Sequence, residues 1–241
     1  MGAAGCHGSV TETVRDGALD LLLGGACVGC GDRGRLLCPR CACELPVGAA
    51  PAWPTPVPAG LVEPWAAGPY EGTVRAMVIG LKERRLLSLA RPLAVLLAEA
   101  VVTGLEVVDA PTVLVPVPSR SSTVRARGHD PTHAIARGAA ALLRAGGRHV
   151  EARRLLRLRP GVVDQAGLDA GARAENLAGS MHCPGVGLRQ LGRRAHRVQV
   201  VICDDVLTTG STAREAQRAL EAVGLEVARV AVVAATRRRR P

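Results

Sequence analysis

Two groups of residues in this 241-residue chain have the types and spacing to do chemistry. The first is the run Val200-Val201-Ile202-Cys203-Asp204-Asp205-Val206-Leu207-Thr208-Thr209-Gly210-Ser211-Thr212. Four apolar residues read as a buried strand. Two adjacent carboxylates then stand at its C-terminal edge, where open α/β sheets bind ligands. The Thr/Gly/Ser loop that follows opens directly into a helix. Its backbone N–H groups and hydroxyls, with the helix dipole, make an anion cradle suited to phosphate. The carboxylates are in reach to accept hydrogen bonds from sugar hydroxyls. Diol acceptors beside a phosphate cradle are what a ribose 5-phosphate needs. The plainer alternative is that Asp204 and Asp205 only cap the helix. A Walker B strand also ends in acids, but no G-x-x-x-x-G-K-[ST] occurs and the only lysine is Lys82.

The second group is Cys27-Val-Gly-Cys30 and Cys38-Pro-Arg-Cys41, two C-x2-C pairs seven residues apart. Each pair can form a knuckle that presents two thiolates to one tetrahedral ion, at Zn–S distances of ~2.3 Å. Gly31 and Gly34 allow the tight turns between them. A core of only ~20–30 residues is hard to stabilise without such a staple. A closed, structural Zn2+ site is therefore expected at Cys27, Cys30, Cys38 and Cys41. A redox C-x-x-C and buried thiols are the alternatives. Cys43 is a spare neighbour, Cys6-His7 lies near the N-terminus, and Gly17–Leu23 reads as a short helix against the module.

The elements that must position these groups follow from pattern. Val74–Ala98 has helical spacing of Met77, Leu81, Leu89 and Leu93, with a break expected at Pro92. Thr112–Val117, Val198–Cys203 and Val227–Ala235 read as buried strands. Thr132–Arg144 and Ser211–Val223 read as helices, the latter with Ala213, Ala216, Leu220 and Val223 on one face. Leu155, Leu156 and Leu158 alternate among arginines as an edge strand does, and Gly185–Gln190 reads as loop. Strand, helix, strand with apolar runs predicts a parallel α/β sheet covered on both faces. Seven prolines between Pro46 and Pro69 read as an extended linker or wrap. The expected organisation is a Cys-rich module at 1–45, a Pro-rich linker at 46–69 and a basic domain at 70–241.

Composition narrows the function classes. The chain carries 31 Lys+Arg against 21 Asp+Glu, a net charge of +10. Residues 1–69 hold four bases and six acids, so 27 bases and 15 acids fall in 70–241. The positive charge therefore belongs to the domain with the phosphate loop. No apolar run reaches the ~18–20 residues of a membrane span. No basic-then-apolar secretory layout precedes the module, so a cytoplasmic location and reduced cysteines are expected. His129-Asp-Pro-Thr-His133 imitates a zinc H-E-x-x-H, but it reads better as a helix start. No G-x-S-x-G elbow occurs, so a serine hydrolase has no support.

The 13-residue run resembles the phosphoribosyl-pyrophosphate signature of type I phosphoribosyltransferases. With the upstream Cys pairs, the chain resembles the ComF family of competence-associated phosphoribosyltransferase-like proteins. The further pieces are Tyr70-Glu-Gly72 leading to Leu81-Lys82, Val115-Pro116-Val117-Pro118 leading to Arg127-Gly128, and Gln165-Ala-Gly-Leu168 leading to Arg173 and Asn176. The resemblance implies a type I phosphoribosyltransferase-like parallel sheet flanked by helices, with a small zinc-ribbon-like module. It implies that Asp204 and Asp205 bind the ribose hydroxyls, and that Thr208, Thr209, Gly210, Ser211 and Thr212 bind the 5-phosphate. It puts pyrophosphate, with Mg2+, at the loop after Pro118 that carries Arg120. Arg125–Gly128, including Arg127, would form a mobile segment over the site, and Lys82 stands at a family-like position. The implied reaction is displacement of pyrophosphate at C1 of the sugar. Two departures bear on the acceptor: Thr208 stands where some purine-salvage relatives carry an acid, and His129-Asp130 stands where the family has an aromatic and an Asn. The competing implication is a non-catalytic, DNA-binding accessory role in DNA uptake, with single-stranded DNA or an uptake helicase as partner. Its arginines would act by counterion release, without Phe or Trp in the basic domain to stack bases.

Overall fold

The apolar runs become neighbouring strands of one sheet. The computed structural model describes residues 25–106, 110–119, 124–125, 127–159, 179–192 and 197–236. The elements run α1 (Pro39–Cys43), β1 (Ala50–Pro51), β2 (Pro64–Pro69), α2 (Gly72–Glu83), α3 (Ala90–Val102), β3 (Thr112–Pro116), α4 (Pro131–Ala145) and β4 (Val150–Ala152). They continue through β5 (Arg157–Leu158), β6 (Met181–His182), α5 (Gly185–Gly192), β7 (Gln199–Leu207), α6 (Ser211–Glu221) and β8 (Val227–Ala235). The main sheet has six strands in the order β1-β2-β8-β7-β3-β4. All its pairings are parallel except β1 with β2. Strands β5 and β6 form a separate antiparallel pair.

The central strands are apolar on both sides because helices cover both faces. Val201 and Cys203 of β7 join one core with α2, α3 and α4, through Met77, Leu93, Leu97, Ile135 and Ala139. Val200 and Ile202 face the other core, with Ala213, Ala216, Ala219 and Leu220 of α6 and Leu191 of α5. A fully buried side chain such as Leu220 contributes about 2–3 kcal/mol. Helix α4 starts where Asp130 accepts a hydrogen bond from the His133 N–H at 3.1 Å, with Pro131 in the first turn.

Several expectations need correction. Pro92 does not break a helix: it sits in the first turn of α3, where its missing N–H costs nothing. The break falls at residues 84–86, where Arg85 has φ 56°. Strand β7 runs on to Leu207, because residues 204–207 keep pairing with β8. Residues 64–69 of the Pro-rich stretch are not linker but strand β2, parallel to β8. Proline is tolerated at both ends of that strand, Pro64 and Pro69. The remainder wraps onto α6: Arg214 donates to the Ala59 carbonyl and Gln217 to the Gly60 carbonyl, each at 2.9 Å. The segment around Gly185 is helix α5, with Leu191 giving it an apolar face. The edge strand is β4, Val150–Ala152, and not the leucines expected to form it: Leu155 and Leu156 lie in no strand, and Leu158 belongs to β5 in the separate pair.

Candidate functional site: two carboxylates, a lysine and a glycine loop

Sheet topology makes the site. Strand β3 pairs with β7 only as far as Pro116 opposite Cys203. Beyond that point β7 continues against β8 alone, so Asp204 and Asp205 emerge where one neighbour has ended. The last tie to the β3 side is the Val117 N–H to the Cys203 carbonyl, 2.9 Å. Asp205 is 3% exposed. Its carboxylate meets the Lys82 ammonium at 2.5 Å, and the Thr132 hydroxyl lies 3.4 Å from the same oxygen. Asp204 accepts the Asp205 N–H at 2.8 Å.

The electrostatics separate the two acids. Burial, then repulsion from Asp205, pushes the Asp204 carboxyl up to about 8, and Lys82 only partly offsets this. For Lys82, burial works against the charge, but Asp205 and then Asp204 outweigh it, so the ammonium is held above its ordinary range. Asp205 thus has its cation. Asp204 is half-buried and short of positive charge, so it favours hydroxyl donors or a cation. Its oxygens are the hard donors Mg2+ takes, and a single carboxylate beside a ligand's own oxygens is a usual magnesium environment. Cys203 next to it is fully buried and its thiol is pushed up by burial and then by Asp204, so it is no nucleophile.

The loop after Leu207 ends at Gly210, which enters α6 at φ 76° and has no side chain of its own to cap the helix. Glycine is required twice here. The positive φ is one reason. The other is space: a Cβ would stand 3.0 Å from Pro54 and 3.2 Å from Leu61 and Pro58. The Pro-rich wrap therefore forms one wall of the loop. The Thr209 and Ser211 hydroxyls lie 3.1 Å apart, and the Thr209 hydroxyl also accepts from the Ser211 N–H at 3.5 Å, so hydroxyls and helix N–H groups stand together, as an anion requires. Behind the loop, buried Glu215 accepts from Arg218 at 2.7 and 2.8 Å and from the Met181 N–H at 2.8 Å. That fixes α6 against β6.

The residues named from sequence fall into three sets. Lys82, Asp204 and Asp205 come together. Thr208 to Thr212 form the adjoining loop and helix start. Arg127 instead pairs with Glu83 at 2.6 Å, while Arg120 and Gln165–Asn176 lie outside the described residues, as do Gly17–Leu23 and Cys6-His7. Sequence reading missed Thr132 and Glu215 as supports of the site, because Thr132 reaches Asp205 from 73 residues away and Glu215 reaches Met181 from 34, separations that no local pattern records. A cavity of about 900 Å³ lies elsewhere, between α3, α4 and the Cys module, and contains none of these residues. Its walls are mainly apolar, such as Leu86, Ala94 and Leu142, with Arg85 and Arg91 also lining it.

The four module cysteines form a second constellation. Their ligand atoms lie within 4.8 Å of one another, and the Cys30 and Cys38 sulfurs are 3.6 Å apart. A tetrahedral site with Zn–S ~2.3 Å has sulfur edges of about 3.8 Å. The geometry fits. Burial opposes ionisation of Cys27, but N–H groups of Cys30, Cys38 and Gly29 outweigh it and lower the thiol to about 6. Cys43 is exposed and outside the cluster. The module rests on α2: Val28, Leu36 and Leu37 pack on the core that contains Val74, Met77 and Leu81. A zinc ion held there would act as a structural staple.

Comparison with known families agrees with this geometry. The sequence model of the phosphoribosyl transferase domain matches residues 195–241, which span β7, the glycine loop, α6 and β8. No curated protein matches the chain. The mostly parallel sheet flanked by helices is consistent with a type I phosphoribosyltransferase-like fold, the family match covers residues 195–241 of it, and the four-cysteine cluster is suited to zinc. No helix among the described residues is long and apolar enough to cross a membrane.

Proposed function

We propose that the chain binds Mg2+-complexed phosphoribosyl pyrophosphate and transfers its phosphoribosyl group with release of pyrophosphate. One observation carries this reading: Asp204 and Asp205 emerge past the end of β3 directly before a glycine-entered, hydroxyl-lined helix N-terminus. Asp204 and Asp205 accept the ribose 2- and 3-hydroxyls. Thr208, Thr209, Gly210, Ser211 and Thr212 hold the 5-phosphate. Lys82 balances the acids and, with Arg120, supplies positive charge on the pyrophosphate side. Catalysis then consists of orienting the acceptor and stabilising the departing pyrophosphate, with little demand for proton transfer. In keeping with the ComF resemblance, a cytoplasmic role near DNA uptake is the setting we infer. Equilibrium dialysis with labelled phosphoribosyl pyrophosphate and Mg2+ tests the reading. Retention that ribose 5-phosphate competes away, and free ribose does not, is expected. Retention indifferent to ribose 5-phosphate rejects it.

A second reading, DNA binding without catalysis, draws on the 27 bases against 15 acids in residues 70–241. It requires binding to single- or double-stranded DNA that weakens steeply with salt. No binding at low salt rejects it.

A further inference from the structure

Lys82 stands at the end of α2, and the residues on either side of it are both gripped by one segment. Leu81 offers its carbonyl, one of the last in the helix and therefore without a partner in the following turn. The His129 ring takes it, Nε2 to oxygen 2.9 Å. Glu83 offers its carboxylate, and Arg127 takes it at 2.6 Å. The same ring's Nδ1 lies 3.1 Å from the Arg127 carbonyl, so one imidazole spans both grips; the doubly protonated ring donates to both carbonyls at once, the neutral ring to one. Between them Lys82 reaches to Asp205. A helix end is the part of a helix that frays most easily. A lysine there has four rotatable bonds, so a fixed ammonium position needs a fixed backbone beneath it.

We propose that Arg127–His129 is a clasp on the end of α2 that seats the Lys82 ammonium at Asp205, with His129 and Glu83 as its positioning residues. The inference rests on the sugar-phosphate reading only for its consequence, because the clasp itself is a property of the ligand-free chain. Arg127 is then held chiefly to Glu83 rather than aimed at a ligand. His129 occupies its position because an imidazole nitrogen can cap a helix carbonyl, as a cationic or donor group favours a helix C-terminus. Other charged groups near the clasp are Arg85, whose guanidinium lies against Gly128, and the Asp130–Arg154 pair at 3.2 Å.

Lys82 is the only lysine in the chain, which makes the test clean. Reductive methylation with ¹³C-formaldehyde gives one side-chain dimethylammonium signal, distinct from that of the terminal amine. In the full-length, zinc-loaded chain this signal is expected to titrate above free dimethyl-lysine, because of Asp205. His129→Ala and Glu83→Gln should each move it toward the free value. His129→Gln, whose amide nitrogen can still donate to Leu81, should leave it nearly in place. Affinity for phosphoribosyl pyrophosphate should fall about fivefold in His129→Ala and recover in His129→Gln, the effect of one hydrogen bond. An unmoved Lys82 signal in both His129→Ala and Glu83→Gln, with wild-type melting, overturns the clasp. A moved signal in a chain that binds no phosphoribosyl pyrophosphate supports the clasp and rejects the functional reading above.

Discussion

Asp204→Asn is expected to stabilise the ligand-free chain while weakening its hold on a sugar. The carboxyl is pushed from 3.8 up to about 8, by burial first and by Asp205 second. Each unit of displacement corresponds to about 1.4 kcal/mol. A folded-state value above the unfolded one means that the native chain holds a proton the unfolded chain has lost. The wild type therefore loses stability as pH rises from about 4 to about 8, and the loss levels off above that. Asparagine never ionises and keeps the oxygen that accepts the Asp205 N–H. Full conversion of the displacement gives an upper bound of about 6 kcal/mol. Partial contact with water reduces it, and about 2–3 kcal/mol at pH 8 is expected, or roughly 5–10 °C in melting temperature. Thermal melts of both proteins from pH 4 to 8.5 give the answer. The two curves should meet near pH 4 and separate as pH rises. A variant that melts at or below wild type at pH 8 refutes the argument, because Asp204 would then be well compensated without a ligand.

Further predictions concern the supports. Cys38→Ser should abolish stoichiometric zinc by metal analysis and lower the melting temperature, since structural zinc carries much of the folding free energy of such modules. Burial opposes ionisation of Glu215, but Arg218 and the Met181 and Gly179 N–H groups hold it below the usual carboxylate range. Its contribution is present above about pH 4.5 and lost as pH falls through the depressed value. Glu215→Gln should thus cost about 1–3 kcal/mol near neutrality and progressively less as pH falls below about 4.5, read by denaturant melts. Lys82→Arg should weaken phosphoribosyl pyrophosphate binding, because a planar guanidinium does not fit where a compact ammonium meets Asp205. Unchanged affinity returns that lysine to chance.

The central strands and the acidic edge were legible because their signals are local. Four consecutive apolar residues, two acids and a Thr/Gly/Ser loop sit in one 13-residue run. The cysteine pairs were legible for the same reason, and their sulfurs converge as the spacing requires. Pro92 was misread because proline's effect depends on where in a helix it falls, and the true break at residues 84–86 has no proline to mark it. The wrap was half legible: its prolines excluded helix, but no local pattern shows that Pro54 and Pro58 lie against Gly210. Thr132 meets Asp205 from 73 residues away. Arg127 was placed by resemblance toward a ligand, and its pairing with Glu83 depends on a packing that sequence spacing cannot express.

The central claim is that Asp204 and Asp205 hold the ribose of phosphoribosyl pyrophosphate. Titration calorimetry with phosphoribosyl pyrophosphate and Mg2+ tests it most directly, on the wild type and on the Asp204→Asn, Asp205→Asn double variant. Losing two charged acceptors should weaken binding by about a hundredfold or more. A saturable heat in the wild type that disappears in the double variant is the predicted result. No heat in the wild type, or the same affinity in both proteins, contradicts the account.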